Sequence, residues 1–401
     1  MKTKITIFLL IISFFTVDAT IMKYKSKNLT IIDSNPINEE EIRGIYISYL
    51  EYLNNFYGNS KTVNEKIINS MIDNISASGF NNVFLHVSPF SDSIYNSEIF
   101  PYSNVLTGTE GKNPGFDYLE FFIKLAHQRK IKVHAWINPY RISFINDISK
   151  LSKDNPAYKL LNTSSVYQDD NGIYYNPSSE IVKDLILKQV EEIIKNYDID
   201  GIHFDDYFYM QKEIDQEEYH QYREKKEISL KEFRLMHTND LIKRVYSLIK
   251  KKDNRIIFSI APDGCINNNY LYHYADVKYW LENKNYVDII MPQIYYGFKN
   301  QYAPFNSVLD NWISLVKNDD IKIVPVLAFY KIGTEDNDAG TGKMEWINDE
   351  LIINRQIELI KYNNLKGYTM FRYDFLFNRK VMNEKSVKEM EKLKKIVKNI
   401  V

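Results

Sequence analysis

The chain has 401 residues, a formal net charge of −1 and 14% aromatic residues, which is enough material for one large domain or two ordinary ones. This charge argues against a nucleic acid as the main partner, because neutralising phosphates requires a basic face. Cys265 is the single cysteine, so a disulfide framework within the chain is excluded and stability must come from a hydrophobic core.

The N-terminal segment has the pattern of a secretory signal. Lys2 and Lys4 precede an apolar run over residues 5–17, and small residues follow up to Ala19. The run is shorter than the roughly 20 residues that span a bilayer. We predict a signal peptide at 1–19 and export to the cell envelope or medium; the alternative is an uncleaved interfacial anchor. Residues 20–41 are polar and aperiodic, which predicts a flexible leader.

The remaining chain, 42–401, alternates short apolar runs with helically periodic stretches, the pattern of parallel βα units. The predicted strands are 42–48, 82–89, 131–139, 202–206, 255–262, 287–293, 321–329 and 367–372. The predicted helices are 63–78, 114–129 (N-cap Asn113), 178–197, 230–250, 269–283, 305–316, 345–363 and 383–400. Eight such units predict a (β/α)8 TIM barrel with long βα-loop insertions.

The competing fold is a doubly wound open sheet. It is disfavoured because Ser48 and Tyr49 follow the first strand, where a dinucleotide-binding fold would place a glycine-rich turn. The long polar segment 143–176 is predicted to be a loop that forms a lid or one wall of a cleft.

Polar and aromatic residues gather at the carboxyl ends of the predicted strands, where TIM barrels carry their functional sites. The amino ends of the same strands offer little that is comparable. Asp205 and Asp206 end an apolar strand, where an unpaired charge is costly. Side-chain alternation predicts that Asp205, together with His203, faces the barrel centre and that Asp206 faces away until the strand ends.

This inventory fits a sugar-cleaving site, because glycoside hydrolysis uses two carboxyl groups across the scissile bond. We predict that Asp205, Asp206 and Asp263 supply them. The sequence leaves open which group donates the proton, and whether the configuration is retained or inverted. The predicted substrate-binding residues are His86, Trp136, Asn138, Tyr140, Arg141, His203, Gln293, Tyr295, Tyr296 and Arg372.

Among these, Arg141 and Arg372 could hold a carboxylate, either a protein one such as Asp374 or a lactyl group of the substrate. The alternatives stay open for other residues: the two histidines and the aromatic residues would equally serve packing, and Asp263 precedes a glycine as in an ordinary turn. No His-x-x-x-His or cysteine spacing predicts zinc, so no metal or cofactor is expected.

Three classes of function compete for such a barrel. The first is a glycosidase, the second a carbohydrate-binding barrel without activity, and the third a metal-dependent envelope hydrolase such as a deacetylase. The missing ligand motifs disfavour the third class. In each case the expected partner is a glycan, with no nucleic acid and no integral membrane partner.

Six segments, in this order and at strand ends, resemble the glycosyl-hydrolase-like family 10 domain over about residues 41–377. They read IRGIYIS at 42–48, GFNNVFLHV at 79–87, HAWINPY at 134–140, DGIHFDDYF at 200–208, MPQIYY at 291–296 and GYTMF at 367–371. The resemblance implies an exported bacterial glycosidase-type barrel. It also implies a peptidoglycan glycan strand without stem peptides as substrate, with another exopolysaccharide as the alternative.

A fainter likeness to chitinase-type barrels fails at one position. Their strand-four pattern, Asp-Gly-x-Asp-x-Asp-x-Glu, ends in the acid that protonates the leaving group. Asp200, Gly201 and Asp205 match this pattern, but Tyr207 stands where the acid belongs and His203 replaces an aspartate. Substrate-assisted cleavage by the chitinase arrangement is therefore not expected.

Overall fold

The computed structural model describes residues 41–398, with side-chain burial up to residue 395. The predicted signal peptide at 1–19 and the leader up to residue 40 lie outside the described residues. Within 41–398, no helix is both long and apolar enough to cross a membrane.

The strands follow the predicted alternation. In chain order they are β1 (Ile42–Ile47), β2 (Asn82–Ser88), β3 (Lys132–Ile137), β4 (Arg141–Ser143), β5 (Val166–Asp169), β6 (Gly172–Tyr175), β7 (Gly201–Phe204), β8 (Ile257–Ile260), β9 (Ile289–Ile290), β10 (Gln293–Ile294), β11 (Lys322–Ile323), β12 (Val326–Leu327) and β13 (Gly367–Met370).

Ten of these strands form one parallel sheet that closes on itself. β1 pairs with both β2 and β13, and the order continues through β3, β7, β8 and β9. β9 pairs with β11, β10 with β12, and β12 with β13, which completes the ring. Since β9 with β10 and β11 with β12 are halves of single barrel strands, the ring has eight members and the predicted (β/α)8 barrel is confirmed.

The sixth and seventh barrel strands are divided, whereas the sequence predicts two continuous strands. Pro292 lies between β9 and β10, and Pro325 lies between β11 and β12. Proline has no backbone N–H to donate to a sheet ladder, so the ladder is interrupted at both positions. The interruption leaves Gln293 at the start of β10, at the carboxyl end of the barrel.

The helices surround this ring. In chain order they are α1 (Tyr49–Asn55), α2 (Lys61–Ala77), α3 (Asn104–Thr107), α4 (Tyr118–Gln128), α5 (Pro156–Leu160), α6 (Glu180–Asn196), α7 (Gln216–Arg223), α8 (Leu230–Lys252), α9 (Ile266–Leu271), α10 (Val277–Glu282), α11 (Phe305–Leu315), α12 (Glu345–Asn348), α13 (Ile352–Tyr362), α14 (Tyr373–Phe377) and α15 (Glu384–Lys398).

Three helix predictions need correction. The predicted helices 269–283 and 345–363 are each two shorter helices, α9 with α10 and α12 with α13. The second predicted helix begins later than expected, because Asp117 rather than Asn113 caps it by accepting from the Glu120 N–H. α1 was not predicted, although Ser48 and Glu51 form a capping box at its start.

Side chains fill the barrel interior. The Tyr46 and Phe84 rings are stacked with centroids 5.1 Å apart, and the Phe84 and His134 rings are 4.5 Å apart. Trp136 belongs to the same buried cluster. A Cβ atom at Gly201 would lie 2.2 Å from His134 Nδ1, which explains why glycine follows Asp200 at the start of β7. The interior is thus closed below, and access is from the carboxyl ends of the strands.

The segment predicted as a loop at 143–176 contains a small sheet. β4, β6 and β5 form three antiparallel strands in that order. Ile173, Tyr174 and Tyr175 are buried, so this insertion has packed side chains of its own. It places Phe144 beside the carboxyl ends of the barrel strands.

Candidate active site

A cleft of about 280 Å³ opens at the carboxyl ends of the barrel strands. It is lined by Tyr46, Ser48, Tyr49, Leu50, His86, Trp136, Arg141, Phe144, Asp205, Asp206, Tyr207, Ala261, Gln293, Tyr295 and Phe371. Larger grooves of about 580 and 560 Å³ lie against the outer helices, lined mainly by charged surface residues. The cleft is the better candidate, because it brings two buried carboxyl groups together with aromatic side chains.

Both adjacent carboxyl groups reach the cleft. β7 ends at Phe204, so Asp205 and Asp206 lie beyond the strand. Alternation therefore no longer sets their directions, and both side chains line the cleft. This differs from the expectation that only Asp205 would face the centre.

Asp205 is held in a fixed orientation and is 4% exposed. Its Oδ2 accepts from Trp136 Nε1 at 3.2 Å and from Asn138 Nδ2 at 3.3 Å, and its Oδ1 accepts from the Tyr207 N–H at 3.2 Å. Burial and the neighbouring Asp206 charge raise the pKa of Asp205 to about 7, against a smaller lowering by Arg141. The group is therefore poised to carry a proton near neutral pH.

Asp206 has a more polar environment. Its Oδ1 accepts from Gln293 Nε2 at 2.9 Å, and the same amide nitrogen donates to the Ala261 carbonyl at 2.8 Å. Burial raises the pKa of Asp206, whereas nearby His273 and the Gln293 hydrogen bond lower it. The two carboxyl groups titrate as a pair, and these contacts favour Asp206 as the member that ionises first.

The raised pKa predicts that Asp205 costs stability at alkaline pH. The pKa of this carboxyl group rises from 3.8 to about 7 on folding, so the folded protein holds a proton that the unfolded chain has lost. Stability contributed by that proton is present below pH 3.8 and is lost as the pH rises through about 7. We expect Asp205→Asn to raise the free energy of unfolding at pH 8 by roughly 2–4 kcal/mol.

Urea unfolding of both proteins at pH 4 and pH 8 measures this difference. The gain should shrink toward zero at pH 4, where Asp205 is protonated in the wild type. An equal difference at both pH values would contradict the raised pKa.

His86 and Trp136 form the floor of the cleft. Their rings are stacked with centroids 3.6 Å apart and an interplanar angle of 7°, so one face of Trp136 is already covered. Neither ring nitrogen of His86 has a hydrogen-bond partner among the described residues. Burial, then the Arg141 charge, lowers the pKa of His86, which favours the neutral imidazole.

His203 lies one layer deeper than the cleft. It is fully buried, with Nε2 2.9 Å from Tyr46 Oη and Nδ1 2.8 Å from Ser259 Oγ. Both of its nitrogens are therefore used within the protein. The predicted substrate contact of His203 is replaced by support for Tyr46, which itself lines the cleft.

Arg141 and Arg372 have different surroundings. Arg141 lines the cleft, is 3% exposed and lies among aromatic rings. Arg372 does not line the cleft; its guanidinium forms an ion pair with the fully buried Glu51 and lies 3.7 Å from Asp374. Of the two carboxylate-binding candidates, the structure leaves Arg141 free for a ligand and engages Arg372 within the protein.

Asp263, Tyr296 and Tyr140 are not among the residues that line the cleft. The Asp263 carboxylate accepts from the Cys265 N–H at 2.6 Å and from Asn268 Nδ2 at 3.1 Å, at the start of α9. Tyr296 lies beside Asp263, whose charge adds to burial in raising the pKa of that phenol. Tyr140 is buried in the outer core. A catalytic role for Asp263 stays a prediction.

Several cleft residues were not predicted from the sequence. Tyr49 and Leu50 begin α1, and the capping box at Ser48 was a readable signal for that helix. Tyr46 follows from alternation, since it is one position before the last residue of β1 and packs inside the ring. Phe144 carried no local signal, because its position depends on how the small sheet folds back.

Within the part of the chain that the structure describes, no group of three or more His, Cys, Asp or Glu residues is arranged to hold a metal ion. Cys265 is a partly buried free thiol after Asp263.

Comparison with known proteins supports this assignment. The family model described as Glycosyl hydrolase-like 10 matches residues 41–341, three quarters of the chain and all of the cleft except Phe371. The chain belongs to the glycosyl hydrolase-like 10 family. The family resemblance is thereby confirmed, and five of its six segments lie within the matched residues; GYTMF at 367–371 lies beyond them.

Relatives of this glycosyl hydrolase-like 10 protein are named as glycosyl hydrolases. It is 32% identical over 353 residues to glycosyl hydrolase YngK of Bacillus subtilis (strain 168), covering 82% of this chain and 68% of the relative. It is 29% identical over 343 residues to glycosyl hydrolase DigH of Escherichia coli (strain K12), covering 78% of this chain and 76% of the relative. The protein is a glycoside hydrolase, as predicted.

Solved structures agree on the fold. The glycoside hydrolase domain of PgaB (BpsB) from Bordetella bronchiseptica superposes with a TM-score of 0.58 at 12% identity, covering 89% of this chain and 99% of that one. An alpha-amylase from Geobacillus thermoleovorans gives a TM-score of 0.51 at 13% identity, covering 89% of this chain and 78% of that one. At these identities the similarity shows the barrel fold alone.

Proposed function

We propose that this glycoside hydrolase is exported and cleaves the glycan strands of peptidoglycan after their stem peptides have been removed. The observation that carries the proposal is the cleft itself. It joins a buried pair of carboxyl groups, which suits glycosidic bond cleavage, to a buried guanidinium, which suits a sugar bearing a carboxylate. Muramic acid without its peptide is such a sugar.

The two carboxyl groups differ in a way that suits separate roles. Asp205, with its pKa raised to about 7, is proposed as the general acid that protonates the leaving glycosidic oxygen. Asp206, oriented by the Gln293 amide at 2.9 Å, is proposed as the ionised partner. It would act at the anomeric carbon, directly or through water.

The cleft walls suit a sugar chain. Tyr49, Phe144 and Tyr207 line the cleft, and aromatic rings can pack against the apolar faces of sugar rings. Gln293 is proposed to hold Asp206 rather than the sugar, because its amide nitrogen is engaged twice within the protein. Tyr295 is the further phenol proposed to contact the glycan.

The proposed location is the cell envelope or the medium. It rests on the signal-peptide pattern at 1–19 and on the location of peptidoglycan outside the cytoplasmic membrane. Fractionation of cells that express a C-terminally tagged full-length chain measures it. Recovery of the protein only in the cytoplasm, with its N-terminus intact, would contradict export.

The experiment that tests the function compares glycans side by side. We expect purified protein to release reducing ends from peptide-free peptidoglycan strands at least about tenfold faster than from intact peptidoglycan or chitin, because only the first carries free lactyl carboxylates for a buried arginine. Mass spectrometry of the products identifies the bond cleaved. Faster cleavage of chitin or another exopolysaccharide would replace the proposed substrate and leave the glycosidase assignment standing.

A further inference from the structure

Arg141 is a buried cation enclosed by rings. Its Cζ lies 4.3 Å from the centroid of Phe144, 4.6 Å from Tyr207, 4.8 Å from Phe90 and 5.9 Å from Tyr49. These four rings, which we call the arginine cage, shield the charge from water, and cation–π attraction offsets part of that cost. Among the described residues, no carboxylate lies within ion-pair distance of Arg141.

The guanidinium keeps unused donors. Its one hydrogen bond to a described residue runs from Nε to the Pro89 carbonyl at 3.3 Å. A guanidinium has five N–H donors in a planar fork that matches a carboxylate. The N–H groups of Nη1 and Nη2 make no hydrogen bond to a described residue, and Arg141 lines the cleft.

The charges around the cleft give this arginine a selective role. Of the described residues that line the cleft, Arg141 alone is a permanent cation, and Asp206, proposed as the ionised member of the carboxyl pair, carries the opposite charge. A substrate carboxylate entering a purely acidic cleft would be repelled. A carboxylate placed at the fork of Arg141 would instead receive two parallel hydrogen bonds.

His86 marks the same region as a polar binding site. It lines the cleft and is fully buried, and neither of its ring nitrogens has a partner among the described residues. It lies near enough to Arg141 for that charge to act on it. Buried polar atoms are normally hydrogen-bonded, so an unpartnered imidazole beside an unpaired guanidinium points to a polar ligand at this place.

We propose that Arg141 binds the lactyl carboxylate of a muramic acid residue and thereby makes the cleft select strands whose lactyl groups are free. The proposal rests on the proposed function and names the group that sets its specificity. A stem peptide converts the carboxylate into an amide, which carries no charge and adds bulk where the arginine cage leaves little room. Intact peptidoglycan would then lose both the ion pair and the fit.

Binding tests the proposal without relying on cleavage. The probes are a peptide-free tetrasaccharide of alternating N-acetylglucosamine and muramic acid, and the same compound with its lactyl carboxyls reduced to alcohols. In the Asp206→Asn background, calorimetry should give on the order of 10- to 100-fold tighter binding of the native probe. Arg141→Met should bind the two probes with equal affinity. Arg141→Lys keeps the charge but not the planar fork, so its preference for the native probe should be intermediate.

Arg255→Met is the matched control, because the Arg255 side chain is 86% exposed and paired with Asp253 outside the cleft; it should keep the full ratio. Circular dichroism and thermal unfolding check that each variant folds. The comparison of the two probes in the Asp206→Asn protein, which keeps Arg141, tests the proposal even if Arg141→Met does not fold.

The outcomes separate this proposal from the proposed function. Equal binding of both probes with Arg141 present overturns it, as does an equal loss for both probes in Arg141→Met. If Arg141 served only to balance the Asp205 charge, its replacement would shift the pH profile of glycan cleavage and leave the ratio of the two probe affinities unchanged. Discrimination in binding, with no cleavage of either probe by wild type, would sustain the carboxylate site and overturn this glycan as the substrate of hydrolysis.

Discussion

Replacement of Asp205 or Asp206 by asparagine is expected to lower glycan cleavage by about 10²- to 10⁴-fold, the usual contribution of a positioned acid or base. Each side chain lines the cleft, and each is held by amide or indole donors. Asparagine has nearly the same shape, so substrate binding should change little. Reducing-end assays over a range of substrate concentrations separate kcat from KM.

Asp263→Asn is the informative comparison for that loss. Both Asp263 carboxylate oxygens already have partners within the protein, the Cys265 N–H and Asn268 Nδ2, and the side-chain oxygen of asparagine can accept in a turn of this kind as aspartate does. We therefore expect activity within about tenfold of wild type. A loss as large as that of Asp205→Asn would instead support the prediction that Asp263 takes part in the chemistry, and unchanged activity in all three variants would contradict the assignment of the cleft.

Arg372→Met is expected to destabilise the protein by about 3–5 kcal/mol, because it leaves the buried Glu51 carboxylate without its counter-charge. Glu51 is fully buried and also accepts from the Ser48 N–H at 2.8 Å and the Asp374 N–H at 3.1 Å. Urea unfolding at pH 7 measures the change. Below the unfolding transition, the KM for glycan should stay near the wild-type value.

The control is the double variant Glu51→Gln with Arg372→Met, which tests whether the unpaired Glu51 charge causes the loss of stability. Removing the charge from both partners should recover part of the lost stability, since the cost lies in the unpaired carboxylate. A stable Arg372→Met protein with a raised KM would mean that Arg372 binds substrate, as the sequence predicts.

The barrel was predictable because its signal is repeated. Eight apolar runs separated by helical stretches leave few other folds, and the ring of pairings agrees with that count. The interruptions were also readable in principle, since Pro292 and Pro325 lie inside predicted strands. The break between α9 and α10 also has a local signal that the sequence prediction overlooked, because the Asp276 side chain caps α10 by accepting from the Tyr279 N–H.

The sequence predicted where the site lies better than it predicted the role of each residue in it. Strand ends identified Asp205, Asp206, His86, Trp136, Arg141, Gln293 and Tyr295, all of which line the cleft. The two arginines could not be distinguished in sequence, because the partner of Arg372 is a residue more than 300 positions away. Asp263 illustrates the same limit, because sequence alone does not tell a catalytic carboxylate at a strand end from one that accepts hydrogen bonds within a turn, as Asp263 does from the Cys265 N–H.

The contact between Glu51 and Arg372 also governs the order in which the protein can assemble. It joins residues 321 positions apart, beside the pairing of the first and last barrel strands. In a chain made from its N-terminus, the barrel can therefore close only after β13 has been synthesised, and until then one edge of β1 lacks its partner strand. Contacts this distant in sequence are slow to form, and an unpaired edge favours association with other chains. The pairing of β13 with β1 thus determines whether the barrel closes or leaves an edge open to other chains.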